Sequence, residues 1–290
     1  MFDFLTPKFT PNASGMKLRS WRPELPDHRD KKYTAPPVTV REFVNPLGAT
    51  YRIHNQGALS SCTGHAGTAM VEIALGLRGT TNQLSRLFCY YLAREMIGEA
   101  ALDMGAYNRD VIKSIVKLGV PKETFWRYSA NKVTTKPSQS AYKHAEDFRL
   151  LSESQRLIYE KVEGLNDLLA AINAGQPVMF GFLAFDHLYA LNDVHYTYTM
   201  PVAANKPIGG HAVVADGYDK ADQTVWVQNS WGAEWGKNGY FKMPFEWFYS
   251  GPGLTDDLWT VRRGLLATPA RTVEVAPEFV VPTYPYALQP

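Results

Sequence analysis

The sequence predicts an α+β protein of two unlike lobes, and two observations carry the prediction. Between residues 60 and 118 apolar side chains recur at helical spacing. Beyond residue 176 they gather into short runs, rich in β-branched and aromatic residues, that Gly or Asp turns separate. Helices first and strands after are the mark of segregated layers, and a cleft between such lobes is a natural ligand site. With 290 residues, 45% of them hydrophobic, the chain has ample material for a large core.

Residues 1–38 carry Pro7, Pro11, Pro23, Pro26, Pro36 and Pro37 with little periodicity, which reads as an extended leader. From Ser60 to Leu77 the residues Ala66, Ala69, Met70, Ile73, Ala74 and Leu77 mark a first helix, capped by Ser60 or Ser61 and stopped near Gly79. LSRLFCYYLAREM at 84–96 is a second helix, and RDVIKSIVKLGVPKE a third, ended by Gly119 and Pro121. A polar stretch follows at 129–145. LNDLLAAINAGQPVMFGFLAF then gives a helix over 165–174, a stop at Gly175 and a buried strand over 177–185. HAVVADGYD, TVWVQNSW, GYFKMP and LWTVRR are further strands, and the proline-punctuated residues 266–290 form a tail. The expected division is a leader over 1–38, a two-lobed domain over 39–265 with a helical lobe at about 45–145 and a β-rich lobe at about 146–265, and the tail.

Net charge is +2, with Lys and Arg scattered rather than blocked, so neither nucleic acid nor an anionic membrane is an expected partner. No apolar run has membrane-spanning length, and the amino terminus lacks the apolar core of a secretory signal. Two cysteines, Cys62 and Cys89, can form one disulfide at most and cannot build a cysteine-rich zinc site. No metal or other cofactor is expected.

The stretch HNQGALSSCTGHAG puts Cys62 in the first turn of the first helix, where unpaired N–H groups and the helix dipole favour a thiolate. A packed thiol is the commoner role for a cysteine, and it fits Cys89, inside the apolar LFCYY. An attacking thiol needs a histidine that later protonates the leaving amine. His65 lies one turn along the same helix, alongside the thiol, which suits a solvated or supporting histidine better than a proton donor. His211 follows two glycines and opens an apolar strand in GGHAVVADGYD, so it can face the cleft. Asn229, ending the next strand, can orient the imidazole without adding a second anion. The Cys62 N–H and the Gln56 side-chain amide can hold an oxyanion. His187 and His195 read as surface or loop histidines.

NQGALSSC, GGHAVVADGYD and NSWGAEWGKNGYF, in this order, resemble the signatures of the papain-like cysteine peptidases. The last is highly specific, and weaker likeness extends the resemblance over about residues 45–262. It implies a papain-like two-lobed fold with a helical first lobe, an antiparallel β-barrel-like second lobe and the active site in the cleft between them. It further implies Cys62 as nucleophile, His211 as acid and base, Asn229 as orienting partner and Gln56 as oxyanion donor. Trp231 would shield the His211–Asn229 bond from water, and Trp235 would line the leaving-group side. Ala212 would form a wall of the main specificity pocket, while Gly105, with Ala106 in place of a second glycine, would pair with substrate backbone. The implied substrate is a peptide or protein.

Two departures stand out. Leu59 occupies the place of a disulfide cysteine in many relatives, and Thr63 that of the tryptophan that usually follows the nucleophile. They keep open a silent peptide-binding relative, and a separate alternative, against which the NSWG stretch argues, is a Cys-His-Asn amidase or acyl transferase. The expected leader is a prosegment lying across the cleft, an intramolecular inhibitor anchored by Trp21, Leu25 and Tyr33.

Overall fold

Every residue of the first helix from Cys62 to Val71 is buried, so this helix needs neighbours on all sides, and two glycines let them approach. The computed structural model describes residues 21–36, 39–48, 53–77, 83–149, 155–248 and 254–265. Within them α1 is Cys62–Ala74, α2 Arg86–Glu95 and α3 Asn108–Leu118. A methyl group at Gly64 would lie 2.7 Å from the Arg86 carbonyl oxygen and 2.8 Å from Tyr90 Cβ, and one at Gly67 would collide with Val111. Each is incompatible with a packed interior, so these positions fix how close α2 and α3 come to α1.

Ser85 caps α2, its hydroxyl accepting the Phe88 N–H, and Gly119 ends α3 at a φ of 80°. Ser61 flanks α1 but gives it no side-chain cap. Its hydroxyl is instead 2.6 Å from the Tyr128 hydroxyl. The expected stop at Gly79 falls outside the described residues.

The polar stretch after α3 contains a helix that periodicity did not disclose, α4 at Gln139–Arg149, held by the buried Ala141 and Ala145 one turn apart. α5 follows at Gly164–Asn173, burying Leu168 to Ile172.

The strands form one antiparallel sheet: β1 Phe43–Val44, β2 Gln155–Lys161, β3 Val178–Phe185, β4 Pro207–Asp219, β5 Thr224–Gln228, β6 Tyr240–Pro244 and β7 Thr255–Leu265. The path runs β2-β7-β3-β4-β5-β6, with β1 on β4, and it is open rather than closed into a barrel. β4 is the pivot. It pairs with β3 through Phe182 opposite His211 and with β5 through Val214 opposite Gln228. One apolar cluster joins the helices to Met179, Ala212, Val214 and Trp259 of the sheet, and a second fills the far side around Phe180, Phe182, Tyr198 and Trp247.

The described part of the leader is extended, without helix or strand. Trp21 pairs in parallel with Ala106, and Lys32 in parallel with Lys161. Trp21 and Tyr33 are buried. Leu25 is 73% exposed and so is no anchor, because Glu24 turns inward at that point instead. Among the described residues no helix is long and apolar enough to cross a membrane.

Candidate active site

Cys62 opens α1 where the helix abuts β4. The Ala212 N–H donates to its Sγ across 3.2 Å. That contact seats the residue after His211 on the thiol, joining the two lobes at one sulfur. Neither cysteine is in a disulfide, both are buried, and burial pushes the Cys89 thiol pKa far up.

His211 is fully buried, and its Nε2 donates to Asn229 Oδ1 at 2.8 Å. The same oxygen accepts the Ser230 N–H at 2.8 Å, while the Asn229 main-chain N–H donates to the Gly239 carbonyl at 3.0 Å, so the side-chain oxygen and the backbone of Asn229 are both held. With Nε2 engaged, the other ring nitrogen, Nδ1, makes no hydrogen bond to a protein group. Burial drives the imidazole pKa down to about 4, against an opposing pull from the Asn229 bond. The Trp231 ring lies 5.2 Å from the imidazole, Phe182 meets it edge-on at 5.7 Å, and Trp235 stands edge-on to Trp231 at 4.9 Å. These rings wall the His211–Asn229 pair with apolar surface.

Gln56 is buried on a loop that the β-rich half holds in place. Its N–H donates to the Ser230 carbonyl at 2.9 Å, and the next ties are an antiparallel bridge of Asn55 to Trp231 and a bond from the Gly232 N–H to the His54 carbonyl. Ser230 Oγ donates to Gln56 Oε1 at 2.7 Å, which fixes the amide so that Nε2 faces the Leu59 carbonyl at 2.9 Å. An amide nitrogen has two protons, and this bond uses one. The Tyr128 hydroxyl donates to the Gln56 carbonyl at 2.9 Å and meets Ser61 Oγ, bridging this loop to the start of α1.

His65 is buried rather than solvated. Its Nδ1 donates to the Ser61 carbonyl at 3.0 Å, the ring packs edge-on against Tyr128 at 4.9 Å, and burial holds its pKa well below the ordinary value. It lines a small cavity together with Ala212, Asn229 and Ser230. His187 stacks on Tyr198 at 4.5 Å in the connection between β3 and β4, and His195 is exposed.

Gly105 and Ala106 form a buried edge facing the leader. The Gly105 N–H donates to the Tyr90 hydroxyl at 3.0 Å, Tyr90 donates to Asp103 at 2.7 Å, and Asp103 accepts the Ser60 N–H at 3.1 Å. The leader lies along that edge. The Trp21 N–H donates to the Gly210 carbonyl at 3.4 Å and the Arg22 N–H to the Ala106 carbonyl at 3.3 Å. Arg22 reaches Glu99 at 2.6 Å, and the Trp21 indole N–H donates to Asp257 at 3.0 Å. Glu24 and Asp30 pair with Arg109, and the leader ends against β2 through Tyr33 and Lys161. Of the residues singled out in the sequence, the structure sets Cys62 against Ala212, His211 against Asn229 and Gln56 against Ser230. Tyr128, Asp103, Asp257 and Glu24, which no local motif marks, are not among them.

The family model for papain family cysteine proteases matches residues 40–247. A peptidase C1-like protein of Acanthamoeba polyphaga mimivirus is 36% identical over 217 residues, which span 72% of this chain and 68% of the viral protein. The pro-cathepsin H of Mus musculus is 27% identical over 198 residues, 65% of this chain and 55% of that one. Among solved structures, xylellain, a cysteine protease from Xylella fastidiosa, superposes with a TM-score of 0.75 at 30% identity, over 85% of this chain and 97% of that one. Procathepsin L 3 of Tenebrio molitor shares the fold at a TM-score of 0.57 and 20% identity, over 79% and 70% of the two chains.

Proposed function

Since the chain belongs to the papain family of cysteine proteases, we propose that it is an endopeptidase working through Cys62, His211 and Asn229 and kept latent by its own leader. The observation that carries the reading is the coincidence at β4: Ala212 on the Cys62 sulfur, and His211 beside it bound to Asn229 at 2.8 Å.

The chemistry follows from these contacts. The Cys62 thiolate attacks the peptide carbonyl carbon, a C–S bond forms, and the carbonyl electrons move to oxygen. The Cys62 N–H and the second proton of Gln56 Nε2 stabilise that oxyanion. His211, its Nε2 committed to Asn229, gives the Nδ1 proton to the departing nitrogen as the C–N bond breaks. His211 Nδ1 then takes a proton from the water that attacks the thioester, and the C–S bond breaks to free the acid and restore the Cys62 thiolate beside the imidazolium. Asn229 keeps the ring in plane and tautomer without drawing away the positive charge. Ala212 and the Gly105–Ala106 edge line the substrate cleft, while Trp231 and Trp235 exclude water from the histidine pair. The intact set of Gln56, Cys62, His211 and Asn229 favours this reading over a silent peptide-binding relative and over an amidase or acyl transferase.

Latency rests on the leader's position. A segment that hydrogen bonds to both Ala106 and Gly210 occupies the cleft walls a substrate would use. With Cys62 and His211 both fully buried, the thiolate–imidazolium pair is disfavoured until the cleft opens to water.

The test is hydrolysis of a fluorogenic peptide series by the full chain and by a chain beginning at residue 39, each with and without Cys62→Ala. The shorter chain is expected to be at least ten times faster, and Cys62→Ala to abolish turnover in both. Hydrolysis that survives Cys62→Ala ends the mechanism, and equal turnover by the two lengths ends the latency.

A further inference from the structure

His65 takes part in none of the steps above, although its ring is firmly fixed. The Ser61 carbonyl accepts both its main-chain N–H, at 3.1 Å, and its Nδ1–H, at 3.0 Å, and the Tyr128 ring closes on it edge-on. A carbonyl oxygen can only accept, so the ring proton is on Nδ1. Burial first, and then the Arg86 charge with His54 and His211, outweigh the Ser61 bond and keep a second proton off the ring. Nε2 therefore presents a lone pair.

The Asn229 amide supplies the complement. Its Oδ1 takes the Ser230 N–H as well as His211 Nε2, which identifies the oxygen and leaves Nδ2, with its two donors, at the other end. His65 and Asn229 are each only 3% exposed, and among the described residues neither His65 Nε2 nor Asn229 Nδ2 has a hydrogen-bond partner. Polar atoms buried in this way are costly without one.

Both residues line one cavity between α1 and β4. Its other walls include the small side chains of Ala66 and Ala69 from the helix and Ala212 from the strand, and about 10 Å³ is left to the centre of a water molecule, room for one. A water can accept from Asn229 Nδ2 and donate to His65 Nε2. A cation would meet the amide N–H groups and an anion the Nε2 lone pair, so neither ion suits both ends.

We propose that this cavity is the binding site of one structural water, through which His65 positions the Asn229 amide for His211. The proposal rests on the peptidase reading above, and His65 acts in it only through Asn229. Ser230 holds the oxygen end of the amide and the water its nitrogen end, so a flip that would turn Nδ2 toward His211 loses both partners. As His211 gains positive charge it pulls harder on Oδ1, and the amide N–H becomes a better donor to the water. That polarisation ends on a neutral ring rather than on a second anion.

Two measurements on the full chain read the site without substrate. A high-resolution crystal structure should show an ordered water within about 3.2 Å of both His65 Nε2 and Asn229 Nδ2. Nitrogen-15 spectra of the histidines at pH 7 should show His65 protonated on Nδ1, with Nε2 a hydrogen-bonded acceptor. Two variants then separate positioning from packing: His65→Phe keeps a ring against Tyr128 and loses the acceptor, whereas His65→Gln loses the ring and keeps an acceptor. Solvent exchange of the His211 Nε2 proton should quicken at least about tenfold in His65→Phe and less than about threefold in His65→Gln, and kcat on a fluorogenic peptide should fall in the same order with KM unchanged. Packing alone predicts the reverse order. A cavity without water in the crystal, or His65→Phe no worse than His65→Gln in proton exchange, overturns the proposal. If the water and the exchange order hold but no peptide is hydrolysed, the water site stands and the peptidase reading falls.

Discussion

Tyr128 is the residue on which the Gln56 loop and the start of α1 agree. Its hydroxyl touches the Gln56 carbonyl on one side and Ser61 Oγ on the other, so it sets the spacing between the amide of Gln56 and the first turn of α1. It is a positioning residue. Tyr128→Phe keeps the ring against His65 and removes both bonds, and it should lower kcat about tenfold with KM little changed, since the loss is felt by the oxyanion and not by bound substrate. A matching rise in KM would place Tyr128 in substrate binding instead. Tyr128 also marks the limit of what could be read from residues alone. Gln56, Cys62, His211 and Asn229 stand out in the sequence by their neighbours, glycines before His211 and the NSWG stretch at Asn229. Tyr128, Asp103 and Asp257 work through contacts 43 to 236 residues away, which leave no local pattern.

At the scale of elements, the leader is held by a carboxylate pair that dislikes being charged. Glu24 faces Asp257, Arg109 and Lys161, and Asp257 has Asp256 beside it. Burial first, and then mutual repulsion, push the Glu24 pKa above its ordinary range despite Arg109 and Lys161, and burial and Asp256 do the same to Asp257. The docked leader therefore binds more protons than a released one, so docking is firm below the ordinary carboxyl range and weakens as pH rises toward the raised values. Turnover of the full chain relative to its Glu24→Gln variant should climb severalfold between pH 5 and pH 8. A constant ratio would mean that Glu24 does not govern release. Elements differed in how openly they declared themselves. α3 and β3 follow their apolar patterns closely, but α4 shows only two buried alanines in a polar run, and β2 sits at the sheet edge, where β7 rather than its own pattern makes it a strand. The sheet stays open because β2 and β6 end its path without meeting.

For the molecule as a whole, acid has the opposite effect on the body. Burial holds His211 and His65 neutral in the fold, whereas unfolding lets both take up protons. Below the ordinary histidine pKa the unfolded state binds more protons, so this stability is complete above pH 6.5 and is lost as pH falls toward about 4, roughly 3 kcal/mol for His211 alone. Urea unfolding at pH 7 and pH 4.5 should register that loss, and His211→Gln should shrink it; an unchanged pH dependence in the variant would mean that His211 contributes nothing. Both lobes share one core cluster that runs from α1 into Met179, Ala212 and Trp259, which is why they should unfold together. That long-range closure has a further consequence during synthesis. Cys62 stands 150 residues ahead of Ala212, its sulfur's partner, so on a ribosome adding about 5–20 residues per second the sulfur is made roughly 8–30 seconds before that partner exists. On the proposed reading the nascent chain emerges without an assembled site, held off first by the order of translation and only afterwards by the segment that runs along Ala106 and Gly210.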